Sequence, residues 1–393
     1  EQKKDITNDT TIIEFSKTDI TGEKELEGAT LTVLDEDGNV IDTWVSGDKT
    51  HKIEGLKVDK TYILREEICP DNYVKATDIK FKVKNTKEIQ KVTMIDKVVE
   101  MSKVDITGNE LEGATIQVFD KDNNIIDEWI SEKEPHKIKG LVEGQTYTLH
   151  EEIAIDEYVK ATDIKFTVTT DKETQKVEMI DKVVEITKTD LTTGEELEGA
   201  ELTVTDEDGN VIDKWISEKK PHKVTGLEEG KKYTLTEVTC PYGYEQAESI
   251  EFTVTEDKET QKIEMKDMPI LKSVQVEKID KATGEHIKSN KFVFGIYEDE
   301  ACTKLIKEVG ANEFEGTALF DNLKYGTYYI KEVKAPLGYS LSDQVVKIEI
   351  NDKGVFADGV SLEEKDGIYS FVYYNSLLPA IQTGNETNYI LLL

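Results

Sequence analysis

VTMIDKVV, residues 92 to 99, alternates like a half-buried β-strand with Val92 and Met94 facing inward, until Asp96 puts a carboxylate on that same face. Two other runs nearby do the same: Ile13 and Phe15 share a face with Lys17, and Tyr62 and Leu64 share one with Glu66. A buried charge is costly, and a buried ion pair is often no better than apolar side chains of the same shape. An unreacted ion pair is the simpler reading, yet it is a weak reason to place three ionisable groups in one core. Burial also drives lysine toward the neutral amine and aspartate toward the neutral acid, a nucleophile and an electrophile. The glutamate could carry the proton between them and polarise the carbonyl. The expected product is an amide joining Lys17 Nζ to the Asp96 side chain, formed once, with loss of water and with no cofactor.

The set is copied along the chain. IIEFSKTDITGEKELEGATLTV from Ile12 returns as VVEMSKVDITGNELEGATIQV from Val98 and VVEITKTDLTTGEELEGAELTV from Val183. Lys17, Lys103 and Lys188 mark a period (103−17=86, 188−103=85) longer than a solenoid repeat and suited to a self-contained domain. Parity places Lys103, Glu151 and Asp181 inward in the second unit, and Lys188, Glu237 and Asp267 in the third. A fourth, more aromatic unit pairs Lys278 and Glu332 with an amide, Asn375, whose condensation would release ammonia. Alternating runs such as ATLTVLD and IKFKVK, split by turns including Asp37-Gly38 and Asp208-Gly209, predict an all-β chain. The architecture expected is a rod of tandem immunoglobulin-like sandwiches, antiparallel, with Greek-key-like connections. The boundaries read as a linker at 1–11, repeats at 12–97, 98–182 and 183–270, a fourth domain at 271–377 and a tail at 378–393. KVVE at Lys97 and Lys182 joins consecutive repeats directly, so hinge freedom should be small.

The 82 acidic residues against 49 basic ones give a formal charge of -33, which argues against nucleic acid and anionic membrane surfaces as partners. Cys69, Cys240 and Cys302 fall singly in different units and build no disulfide framework. With no initiating Met and no signal peptide, Glu1 is expected to begin a mature or excised fragment. Tyr389 to Leu393 is apolar but too short to span a bilayer, and reads as the start of a longer apolar segment. DEDGN at Asp35 and Asp206 is explained by hairpin turns, with no glutamate completing a calcium loop. His51, His136 and His222 recur without a second ligand, so no metal is expected. Trp44, Trp129 and Trp215 read as core packing. No cysteine has the glutamine partner of a thioester, and no Ser/His/Asp set, phosphate loop or dinucleotide fingerprint appears.

FSKTD at Phe15, ELEGATL at Glu25, TWVS at Thr43, YILREEICPDNY at Tyr62 and VTMIDK at Val92 together resemble the Cna B-type domains of Gram-positive surface proteins, which have a prealbumin-like fold. The resemblance implies autocatalytic isopeptide bonds Lys17–Asp96, Lys103–Asp181, Lys188–Asp267 and Lys278–Asn375, with Glu66, Glu151, Glu237 and Glu332 as catalytic residues. The second repeat departs with EEIAIDEY, and Asn72 and Glu157 stand where the pattern has glycine. GTYYIKEVKAPLGYSL and VYYNSLLP make the fourth unit similar to the C-terminal domain of sortase-assembled pilins. LPAIQTG, Leu378 to Gly384, resembles a sortase signal with three residues where the pattern has one, which implies cleavage between Thr383 and Gly384.

The function so implied is the stalk of an extracellular, cell-wall-anchored adhesin. Sortase and peptidoglycan would be partners at the C-terminus, and host extracellular matrix would be met by a head before Glu1. The alternatives are a matrix-binding module and a minor or basal pilin subunit, although no linking lysine in a pilin motif is recognised. No enzyme activity on a separate substrate is expected, only single-turnover bond formation within each domain.

Overall fold

The computed structural model describes residues 10–289 and 291–379. The first domain contains β1 (Ile12–Asp19), β2 (Thr30–Leu34), β3 (Val40–Val45), β4 (His51–Glu54), β5 (Thr61–Ile68), β6 (Ile79–Lys82) and β7 (Gln90–Asp96). They form two sheets, ordered β4-β1-β7 and β3-β2-β5-β6. Alternation along β1 and β5 turns every second side chain inward, so Ile13, Phe15, Leu31, Val33, Ile53, Tyr62, Leu64 and Met94 fill the space between the sheets. The β2–β3 turn is closed by Asp35, whose Oδ1 accepts from the amides of Asp37 and Asn39, both at 2.9 Å.

β1 and β7 pair in parallel, with Lys17 opposite Met94 and Asp19 opposite Asp96. This corrects the expectation of a wholly antiparallel sandwich. Polar and apolar alternation carries no information on strand direction. A parallel first and last strand sends the chain in at one pole and out at the other, as serial stacking requires. The same parallel pair recurs in Val99–Asp105 with Gln175–Asp181, in Val184–Asp190 with Gln261–Asp267, and in Lys272–Asp280 with Ile368–Asn375. The fourth domain widens its second sheet to six strands and fills its core with Phe292, Phe294, Phe320, Phe371 and Tyr373.

Packing continues across the junctions. Val74 of the first domain belongs to the second domain's core, and Val159 of the second belongs to the third's. Lys97 is buried and donates to Thr169 Oγ1 and Asp171 Oδ1 of the next domain. Lys182 likewise donates to Thr255 Oγ1 (2.8 Å) and the Asp257 carbonyl (2.9 Å). The third junction is built differently: Lys324 Nζ lies 2.5 Å from Asp190 Oδ2, which also accepts from Tyr244 Oη at 2.7 Å.

Candidate functional site

Lys17 and Asp96 lie on adjacent parallel strands, two residues apart in register, so their side chains are diagonal neighbours on one face. Glu66 projects toward them from β5 of the facing sheet. The three side chains are 1%, 0% and 0% exposed. Lys17 Nζ donates to Asp96 Oδ1 and sits 2.7 Å from Glu66 Oε1. In the second domain Lys103 Nζ is 2.5 Å from Asp181 Oδ1 and 2.7 Å from Glu151 Oε1. In the third, Lys188 donates to Asp267 Oδ1 and lies 2.7 Å from Glu237 Oε1. In the fourth, Lys278 donates to Asn375 Oδ1 and lies 2.6 Å from Glu332 Oε1. The structure thus brings together all twelve residues singled out from the sequence as four separate triads.

Hydrogen bonding defines the roles further. The second oxygen of each glutamate is anchored by a backbone amide: Ala76 N at 2.8 Å, Ala161 N at 2.7 Å, Ala247 N at 2.7 Å and Ser342 N at 3.0 Å. The oxygen facing lysine in the first three domains touches Nζ without the alignment of a hydrogen bond, and so has no hydrogen-bond partner. Asp181 Oδ2 and Asp267 Oδ2 have none either. A full charge on either carboxyl would be shared with this oxygen, which has no donor, and that favours the protonated acid, whose hydroxyl is the group a condensation would release as water. Asn375 is held differently: its Nδ2 donates to Glu332 Oε1 (3.1 Å) and Oε2 (3.0 Å) and to the Ser340 carbonyl (3.0 Å). The nitrogen that a condensation would release as ammonia therefore faces the glutamate that could protonate it.

Burial pushes the carboxyls of Asp96 and Asp181 up to about 7, with lysine pulling them back and the neighbouring glutamate adding to the rise. Burial raises Asp267 to about 6 against the pull of Lys188. In the fourth domain burial lowers Lys278 to about 8, opposed by Glu332. Its ammonium also lies 4.3 Å from the Tyr373 ring and 4.9 Å from that of Phe294.

A pH dependence follows. Neutral amine with neutral acid holds the same number of protons as the ion pair. An added proton blocks the nucleophile, and a lost one blocks the electrophile. Bond formation in the three Lys–Asp domains is expected to follow a bell whose acid limb rises through about pH 6 to 7. The amide of Asn375 does not titrate, so the fourth domain should accelerate with pH through about 8 and then level. Mass-resolved time courses of freshly synthesised chain across pH check this. A fourth-domain rate that falls as pH rises from 6 to 8 would contradict it.

Parity reasoning missed the backbone amides, which have no side-chain signature, and it missed Cys69. The Cys69 thiol donates to Asp96 Oδ2 at 3.7 Å, and burial, with Glu66 and Asp96 nearby, pushes its pKa upward, away from a reactive thiolate. Glu66, Cys69 and Asp96 bring three donor atoms within 4.8 Å of one another, but the Lys17 ammonium touches both carboxylates, so a cation already serves that cluster. His51, His136 and His222 stack on Trp44, Trp129 and Trp215 and bond Asp42, Asp127 and Asp213. Asn72 and Glu157, the residues at glycine positions, adopt φ of 67° and 68°, beside 85° at Gly243 and Gly338. The loop keeps its left-handed turn at some cost in strain. Thr383 and Gly384, the expected sortase cleavage site, lie outside the described residues.

Fold and site together define a tandem array of all-β sandwiches, each with a Lys–Glu–Asp or Lys–Glu–Asn core. The SpaA prealbumin-like fold domain model matches residues 11–98, 97–183, 182–269 and 272–363, and the chain belongs to that family. No curated protein sequence matches it. Among solved structures it is similar to the TIE protein of Bacillus anthracis, at 24% identity and a TM-score of 0.37 over 93% of this chain and 68% of that one. It is also similar to the pilus adhesin SpaC from Lactobacillus rhamnosus GG, at 14% identity and a TM-score of 0.46, covering 91% of this chain and 56% of that one. BcpA, the major pilin subunit of Bacillus cereus, matches at 14% identity and a TM-score of 0.26, over 94% and 100% of the two chains.

Proposed function

We propose that the chain is a stalk segment of a cell-wall-anchored surface adhesin, with each domain tied by an amide between its first and last strands. The observation that carries this reading is the fourfold contact of a buried lysine Nζ with a carboxyl or carboxamide oxygen and a glutamate. In the reaction, the Nζ lone pair attacks Cγ of Asp96, Asp181, Asp267 or Asn375. Glutamate takes the proton released from nitrogen and passes it to the departing group, so water leaves from aspartate and ammonia from asparagine. The ties follow one another along the chain, so tension entering at Lys17 crosses to Asp96, runs a short backbone interval to Lys103, and crosses again. Membership of the prealbumin-like family supports this reading. Sortase attachment at Thr383 is part of the same proposal.

A stalk holds another domain outward and needs no ligand of its own. The chain is expected to show no saturable binding to immobilised collagen, fibronectin or fibrinogen. Saturable binding to any of them would reassign these repeats as the adhesive element.

A further inference from the structure

The loop that anchors each catalytic glutamate is shared with the following domain at two of the three junctions. In the first domain it reads Val74-Lys75-Ala76-Thr77, and in the second Val159-Lys160-Ala161-Thr162. Each residue of this four-residue stretch is engaged. Val74 is 1% exposed and packs in the next domain's core. Lys75 exchanges backbone hydrogen bonds with the next domain, Lys75 N to the Leu141 carbonyl at 2.9 Å and Glu143 N to the Lys75 carbonyl at 3.1 Å. Ala76 N holds Glu66 Oε2. Thr77 donates to Glu143 Oε2 through both its amide and its hydroxyl, each at 3.1 Å.

Glu143 is 3% exposed, and its other oxygen accepts from Lys172. The second junction repeats the geometry. Lys160 N and the Lys160 carbonyl bond Leu227 and Glu229, Thr162 donates twice to Glu229 Oε2 at 3.1 Å, and Lys258 Nζ lies 2.9 Å from Glu229 Oε1. The amide that orients the glutamate is therefore flanked on both sides by contacts made from the following domain.

The later domains lack this brace. The third has Glu245 and Glu248 where the first has Val74 and Thr77, and the fourth has Tyr325 after its buried Leu323 where the second has Glu143 two residues after Leu141. Among the described residues, the fourth domain meets the third domain's loop only upstream of its alanine, where Tyr242 packs edge-on against Tyr325 and Tyr244 shares Asp190 with Lys324. Beside Ala247 the support is internal, with Gln246 Nε2 donating to the Glu237 carbonyl at 2.5 Å. Val and Thr in the loop occur together with the buried Glu of the next domain, and they are absent together.

We propose that Glu143 and Glu229 are positioning residues for amide formation in the domain that precedes each of them. This rests on the reading of every core as a condensation site. Glu143 fixes Thr77, the neighbouring Ala76 amide then fixes Glu66, and Glu66 keeps its other oxygen 2.7 Å from Lys17 Nζ. Closure of the first domain thus follows folding of the second, and closure of the second follows folding of the third, while the third and fourth domains close without this brace.

The test uses the full chain made by cell-free synthesis, quenched in acid at intervals, digested and assayed for each cross-linked peptide against its free forms. Glu143→Ala should slow the Lys17–Asp96 bond about tenfold, the size of one lost charge-assisted hydrogen bond expressed as a rate. The other three bonds should form at wild-type rates. Glu229→Ala should slow only Lys103–Asp181. Glu143→Gln keeps an acceptor for Thr77 without the Lys172 ion pair and should restore most of the rate, which loss of junction stability alone would not do.

Unchanged rates in both alanine variants, equal slowing in all four domains, or a glutamine variant as slow as alanine would each overturn the positioning role. Absence of every cross-linked peptide from the unsubstituted chain would overturn the underlying condensation reading instead.

Discussion

Glu66→Ala is expected to leave the first domain about 4.5 kcal/mol less stable to denaturant, because Lys17 and Asp96, 79 residues apart, then stay untied. The cost arises mainly in the unfolded state, where the tie removes most of the freedom of the intervening loop. Glu332→Ala opens the larger separation of 97 residues and should cost marginally more. Each of the first three domains has one tryptophan, at Trp44, Trp129 and Trp215, so fluorescence in a urea titration reports which domain has weakened. The account predicts a shifted transition for the substituted domain alone. Midpoints unchanged from wild type would show that the glutamate ties nothing.

The second large effect is mechanical. Pulled from its ends, the unsubstituted chain should extend only through the intervals between ties, 96 to 103, 181 to 188 and 267 to 278, with no long unfolding step. Glu66→Ala should add one step of about 270 Å, the contour of 79 residues at about 3.4 Å each. The parallel pairing of β1 with β7 matters here, because it places both ends of the tie on neighbouring strands at the site where load passes. Single-molecule force spectroscopy distinguishes the outcomes, and a step of that length in the unsubstituted chain would contradict the tie.

Much of the site was legible because strand parity is a strict rule. Lys17, Glu66 and Asp96 violate it on three strands, and the violations recur as a set at Lys103, Glu151 and Asp181 and at Lys188, Glu237 and Asp267. What parity cannot carry is direction and distance. The parallel sense of β1 and β7 depends on how the chain crosses between sheets, and no residue in either strand encodes that. The amides of Ala76 and Ala161 were hidden because a backbone donor looks the same at every residue.

The junctions were half visible. KVVE indicates a short connection, but the burial of Lys97 against Thr169 needs the next domain's loop in place. Val74 looks like an ordinary core residue of its own domain until the structure assigns it to the next. The recurrence of Val-Lys-Ala-Thr in two units, and its loss in the third, was a signal in the sequence that intradomain parity could not use.

All four cores are expected to contain amides where the sequence writes separate side chains. Intact-mass measurement of the folded chain decides this most directly. The account predicts a mass about 71 Da below that of the unreacted sequence, from three waters at about 18 Da each and one ammonia at about 17 Da. Substituting any one of Glu66, Glu151, Glu237 and Glu332 by alanine should abolish only that domain's share of the deficit. A chain at its full unreacted mass would contradict the account, and the four triads would then be buried ion pairs.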